Sequence, residues 1–134
     1  VLLCGPGLRN DKWSNNVFNE IFNTAKIKTS VFDAGALNFI SEKIIEDSQN
    51  IILTPHPGEA AKLLGVSSNE IQEDRVNAAK TISKEFSAYV ILKGKDTIIC
   101  SQNSGDVFKC SEGGPELSSG GTGDVLAGVI SSLK

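Results

Sequence analysis

The chain has 134 residues, 40% of them hydrophobic and 22% charged, enough for one domain with a core of its own and too few for two. A formal charge of −3 with scattered Lys and Arg argues against a nucleic-acid partner, and no apolar run approaches the ~20 residues of a membrane helix. Three cysteines without a CxxC pair and a single histidine argue against a disulfide framework and a structural zinc, so a soluble, cytoplasmic protein with no metal-ligating residues is expected.

Val1–Cys4 is a short apolar run closed by Gly5-Pro6-Gly7, which reads as a buried strand ending in a tight turn. Trp13, Val17, Phe18, Ile21, Phe22 and Ala25 then recur at helical spacing, predicting a helix with that face inward. Thr29–Phe32 is a second strand, ended by Asp33-Ala34-Gly35, and Leu37, Ile40, Ile44 and Ile45 mark the next helix. Ile51–Leu53 is a third strand. Pro57 suits the first turn of the helix after it, which runs through Leu63 and Leu64 to a stop at Gly65.

Ser67 or Ser68 caps a further long helix, with Ile71, Val76, Ala79, Ile82 and Phe86 inward. Tyr89–Leu92 is a fourth strand, and Thr97–Ser101 with Asp106–Cys110, joined through Asn103-Ser104-Gly105, form an antiparallel hairpin on which Cys100 and Cys110 act as small apolar residues. After the Gly/Ser-rich loop Ser111–Gly121, Thr122–Leu133 is helical, with Val125, Leu126, Val129, Ile130 and Leu133 at the apolar spacing. Strands without alternation, each followed by a helix, define a doubly wound α/β fold with helices on both faces of a mostly parallel sheet.

In such a sheet the ligand lies beyond the carboxyl ends of the parallel strands. The most specific segment there is Gly120-Gly121-Thr122-Gly123-Asp124. Glycines before a helix let backbone N–H groups approach an anion, and the helix N-terminus adds partial positive charge. Asp124 beside that cradle either complements the helix dipole or removes a proton from an attacking hydroxyl. No GK[ST] follows the glycines and no GxGxxG follows the first strand, so the loop is neither a Walker A nor a Rossmann motif. Lys93-Gly94 is either a turn with a solvated lysine or a phosphate contact. His56 and Glu59 either start a helix or face a ligand, and Asp33 either caps the next helix or faces one.

Taken in this order, GPGL (Gly5–Leu8), DAGALN (Asp33–Asn38), TPHPGE (Thr54–Glu59), VILKGKDT (Val90–Thr97) and GGTGDVLAG (Gly120–Gly128) resemble the carbohydrate-kinase-like NAD(P)H-hydrate dehydratases of the ribokinase superfamily. The resemblance runs along essentially the whole chain and implies a three-layer α/β/α ribokinase-like domain over residues 1–134. The chain contains no Met and opens inside an apolar run, and family domains extend beyond both ends of these motifs, so a fragment lacking its N- and C-terminal parts is expected.

The resemblance also implies an activity: an enzyme that phosphorylates the hydroxyl of hydrated NADH or NADPH (NADHX, NADPHX) with ADP or ATP and then eliminates phosphate, repairing the cofactor. Asp124 would be the base, with Gly120, Gly121, Thr122 and Gly123 around the transferring phosphoryl group. Gly7 and Thr54, Pro55, His56, Pro57, Gly58 and Glu59 would contact the hydrated dinucleotide, as would Asp124. Lys93, Gly94, Lys95, Asp96 and Thr97 would contact the adenine nucleotide, whose phosphates carry Mg2+. A homo-oligomer is expected. Two departures stand out: Gly35 replaces the second acid of the family's DADALN, and Gly113–Gly121 lacks the Asn of its NPGMATGG loop. The competing readings are a vitamin or sugar kinase of the same superfamily and a nucleotide-binding domain without catalysis.

Overall fold

Four short strands rich in branched residues, β1 (Leu2–Cys4), β2 (Thr29–Phe32), β3 (Asn50–Leu53) and β4 (Tyr89–Leu92), lie side by side in that order, all parallel. Strands β5 (Thr97–Cys100) and β6 (Val107–Cys110) continue the sheet antiparallel, as the hairpin signal predicts. This computed structural model describes residues 1–23, 27–40, 50–102 and 104–133; Ala25, Ile44, Ile45 and Asn103 of the patterns above lie outside the described residues.

A parallel neighbour needs a crossover, and right-handed crossovers along an unbroken strand order place the connecting helices on one face. Helices α1 (Lys12–Asn23), α2 (Leu37–Ile40), α3 (Pro57–Leu64), α4 (Ser68–Glu73) and α5 (Arg75–Glu85) supply that layer. The main core lies under it, with Phe18, Phe32, Ile40, Ile51, Leu53, Ile71, Ile82, Val90 and Leu92 all buried. The Phe18 ring packs tilted against Phe32 and Phe39, at centroid distances of 5.4 Å and 5.6 Å, tying α1 and α2 to β2. Helix α6 (Thr122–Ser132) covers the other face, where Val31, Ile52 and Ala127 form a small second core. The three layers expected are present.

The second face is less complete than the apolar strands suggested. Helix α6 packs over β1 and β2, so burial alternates along β4 and β5, and Tyr89, Ile99 and Phe108 are exposed. Val125, Val129 and Leu133 likewise point outward from α6.

Two inward assignments also fail. Trp13 is 68% exposed and Ser14 is buried in its place, because Ser14 ties the entry of α1: its amide donates to Asp11 Oδ1 at 2.8 Å and its hydroxyl accepts from the Arg9 amide at 3.1 Å. Val76 is 40% exposed because the expected long helix is two helices. Asp74 ends α4 and caps α5 by accepting from the Asn77 amide, which resets the inward stripe to Ala78, Ala79 and Ile82. Cys100 is buried but Cys110 is exposed, and the strand register sets them opposite Val107 and Thr97, so both thiols are free.

Ser67 is the cap of α4, in a reciprocal box: the Glu70 amide donates to Ser67 Oγ, while the Glu70 carboxylate accepts from the Ser67 amide at 2.9 Å and its hydroxyl at 2.7 Å. Those donors hold the Glu70 carboxyl below its ordinary range. A depressed folded value means that the stabilisation is complete above the unfolded value and disappears as pH falls through the folded one. Glu70→Gln is therefore expected to flatten the loss of melting temperature between neutral pH and about pH 3. An unchanged acid slope contradicts the box.

Candidate active site

The carboxyl ends of the four parallel strands are stitched into one rim. The Asp33 amide donates to Cys4 O at 3.1 Å, the Thr54 amide to Phe32 O at 3.1 Å, and the Lys93 amide to Pro55 O at 2.8 Å. The four segments that leave these strands are therefore neighbours, although they are far apart in sequence. The rim is close-packed: Gly5 has φ +139°, and a Cβ there would collide with the Asp33 carbonyl. A side chain at Gly35 would meet the Leu8 carbonyl of the GPGL turn, so the family's second acid has no room in this arrangement.

At the centre of the rim Lys93 Nζ donates to Asp33 Oδ1 at 2.6 Å, across 60 residues of sequence. Asp33 is 1% exposed and Lys93 18%. Glu59 Oε2 lies 3.9 Å from the same ammonium. Asp33 makes no side-chain cap to the turn that follows it, so its carboxylate is committed to the ion pair and not to the capping role considered from sequence. Glu59 and His56 form a capping box on α3: His56 Nδ1 accepts from the amides of Gly58 and Glu59, and the Glu59 carboxylate accepts from the His56 amide at 2.8 Å. Nε2, on the other side of the ring, lies 3.4 Å from Glu59 Oε1. TPHPGE is therefore a helix start, as one of its two sequence readings has it, and Glu59 of that start also stands at the rim beside Lys93.

Helix α6 enters from the other face of the sheet. Helices α1, α3, α4 and α5 are capped by Asp11, His56, Ser67 and Asp74, whereas α6 starts from Gly121 at φ +90° with no side-chain cap. The Thr122 amide donates to Ser119 O at 3.4 Å, and the amides of Gly123 and Asp124 follow at the positive end of the helix dipole without a side-chain cap. The approach is ordered by Thr122, whose hydroxyl donates to the carbonyls of Leu117 and Ser119. A Cβ on Gly123 would lie 3.2 Å from Lys93 Nζ and 3.9 Å from Asp33 Oδ2, so the helix start and the ion pair share one site. Asp124, the next residue, is exposed in the first turn.

The structure thus gathers Asp33, His56, Glu59, Lys93 and Gly123, with Asp124 adjacent. Thr54 and Pro55 are buried behind them and act through the backbone, Thr54 also directing its hydroxyl to Phe32 O. Pro57 and Gly58 form the first turn of α3. Gly7 is exposed in the turn after β1, and Gly120 and Gly121 are exposed before α6. Lys95 is exposed, while Asp96 pairs with Lys109 at 3.0 Å and Thr97 donates to Gly94 O, closing the β4–β5 turn. Sequence reasoning left Asp33 undecided and passed over Arg75, which packs under Lys93; neither contact has a local signature.

A lysine, carboxylates and a helix N-terminus without a side-chain cap thus meet at the carboxyl edge of the parallel strands, where open α/β sheets carry their ligand sites. A family model described as NAD(P)H-hydrate dehydratase matches residues 1–133, and the chain belongs to that family. It is 38% identical over 133 residues to the bifunctional NAD(P)H-hydrate repair enzyme Nnr of Coxiella burnetii, covering 99% of this chain and 26% of that protein. It is 40% identical over 111 residues to the ADP-dependent (S)-NAD(P)H-hydrate dehydratase of Neisseria meningitidis, covering 79% of this chain and 37% of that protein.

Among solved structures, the ADP/ATP-dependent NAD(P)H-hydrate dehydratase of Bacillus subtilis, co-crystallised with ATP/Mg2+ and soaked with CoA, superposes with a TM-score of 0.83 at 33% identity, over 96% of this chain and 46% of that one. The fold is therefore ribokinase-like, and the chain spans about a quarter of the length of the first of these relatives.

Proposed function

We propose that the protein containing this chain dehydrates hydrated NADH or NADPH at the expense of an adenine nucleotide, a metabolite-repair reaction. The observation that carries the reading is the Lys93–Asp33 pair lying directly under the uncapped start of α6, with Asp124 one residue further on. That arrangement offers an anion cradle, a fixed cation and a base at one point.

In this reading the phosphates lie on the amides at the start of α6 with Lys93 alongside, and Lys93–Thr97 borders the adenine nucleotide. The hydrated dinucleotide lies against Gly7 and the Thr54–Glu59 loop. Asp124 takes the proton of the ring hydroxyl as its oxygen attacks the terminal phosphorus, and the donor leaves one phosphate shorter. The ring carbon–oxygen bond that the hydrate already carried then breaks, phosphate departs with that oxygen and the electron pair, a neighbouring ring carbon gives up a proton, and the ring double bond is restored.

The residues fit a magnesium ion carried in on the phosphates. Asp33, Glu59 and Asp124 against Lys93 count formally as −1 −1 −1 +1 = −2, a balance that suits a metal-bearing phosphate better than a bare one. Among the described residues no group of three or more His, Cys, Asp or Glu forms a metal cage, so the phosphates themselves would supply most of the oxygens around the ion, with Asp33, Glu59 and Asp124 the carboxylates of the rim. When bound, it neutralises phosphate charge.

The test is 31P spectroscopy of the full-length protein with hydrated NADH and either ADP or ATP. One inorganic phosphate per NADH regenerated is expected, with the consumed nucleotide identifying the donor. A stable phosphorylated product with no NADH would make the protein a kinase instead.

A further inference from the structure

Arg75 opens α5, and the break at Asp74 turns its side chain toward the carboxyl end of β4. There Nη2 donates to Leu92 O at 3.1 Å and to Lys93 O at 3.2 Å, while Nη1 donates to Gln72 Oε1 at 3.0 Å. Among the described residues no carboxylate forms an ion pair with this guanidinium, and its Nε is buried without a partner. Partial burial holds its acidity above that of an ordinary arginine, opposed by the Asp96 charge across the turn. A cation that gives up water for backbone carbonyls is poorly arranged for stability alone. It is well arranged to fix where those carbonyls lie.

Gly94 is part of the same device. It has φ +134°, and a Cβ there would stand 3.2 Å from both Nη1 and Nη2, so glycine meets the backbone demand and also leaves room for the guanidinium. Lys93 is consequently held on both sides, its amide by Pro55 O and its carbonyl by Arg75. From that fixed backbone its side chain reaches Asp33 and comes within 3.9 Å of Glu59.

We propose that Arg75 is a positioning residue for nucleotide binding: by clamping the end of β4 it places the Lys93 ammonium under the start of α6 and shapes the Lys93–Thr97 turn. The proposal rests on the reading that this rim receives nucleotide phosphates. Arginine is required because its planar fork spans two carbonyls and the Gln72 amide oxygen at once, which a single ammonium on a flexible stem does not.

The experiment is a double-mutant cycle in the full-length protein, with Arg75→Met and Lys93→Met alone and together. ADP–Mg2+ and ATP–Mg2+ affinities are measured by calorimetry and folding by urea unfolding. Arg75→Met is expected to weaken affinity at least about tenfold when Lys93 is present and less than about twofold when it is not, the coupling of residues that act as one unit. In steady state the nucleotide KM rises while kcat at saturation stays within about threefold, the split of a lost binding contribution.

Equal losses in both backgrounds, or unchanged affinity with reduced stability, overturn the role. Should Arg75→Met fail to fold, Arg75→Lys decides: weakened binding in a folded protein supports the clamp, and wild-type affinity overturns it. A wild-type protein that binds neither nucleotide overturns the reading of the rim together with the proposal, whereas intact wild-type binding with additive losses overturns the proposal only.

Discussion

Asp124→Asn is expected to lower kcat by about 10²–10⁴-fold, the usual contribution of a positioned general base, while nucleotide affinity stays within about threefold. Asn keeps the shape and the helical backbone of α6, whose first turn it occupies, so the anion cradle of Gly121 to Gly123 is undisturbed. Removing a carboxylate from a helix N-terminus costs about 0.3–1 kcal/mol at an exposed position, which leaves the protein folded. Asp124 is exposed, with no side-chain cap to make at the helix start, so a purely structural carboxylate would change little when neutralised. Stopped-flow turnover with calorimetric nucleotide binding on the same preparation separates the two cases. Full turnover in the variant removes Asp124 from the chemistry.

Asp33→Ala is expected to destabilise the protein by about 3 kcal/mol, the lower end of the range for breaking a buried ion pair, because Lys93 keeps 18% of its surface. The variant leaves Lys93 with Glu59 at 3.9 Å as its remaining carboxylate in the site. Lys93→Met strands the Asp33 carboxylate, which is 1% exposed and so has almost no water to fall back on. Removing both partners deletes the charge that each single variant leaves uncompensated. The double variant is therefore expected to be more stable than the sum of its parts, by urea midpoint at constant m-value. Single variants within about 0.5 kcal/mol of the parent would show that the pair is solvated and exchangeable, as surface pairs are.

Much of the architecture was legible because it rests on local chemistry. Gly65 takes φ +66° at the end of α3, Pro57 occupies its first turn, and the branched runs of β1 to β4 become parallel strands, as their sequences indicate. The readings that failed depended on something beyond the element itself. The stripe from Ile71 to Phe86 fits one helix until Asp74 restarts the count. The apolar face of α6 and of β4 to β6 has no local mark saying which residues a neighbour covers, and Val125, Val129 and Phe108 are exposed.

The site divides in the same way. The glycines before α6 and the proline-flanked His56 announce themselves, since each alters what the backbone can do. The Asp33–Lys93 pair spans 60 residues and arises only when β2 and β4 lie one strand apart in the sheet. Arg75 is one more charged residue at a helix start until its carbonyl partners are seen.

The central claim is most directly tested by absorbance at 340 nm when the full-length protein is mixed with hydrated NADH, Mg2+ and either ADP or ATP. The account predicts a rise that depends on nucleotide and is abolished by Asp124→Asn. No rise with either nucleotide, in a protein that demonstrably binds one of them, would contradict it.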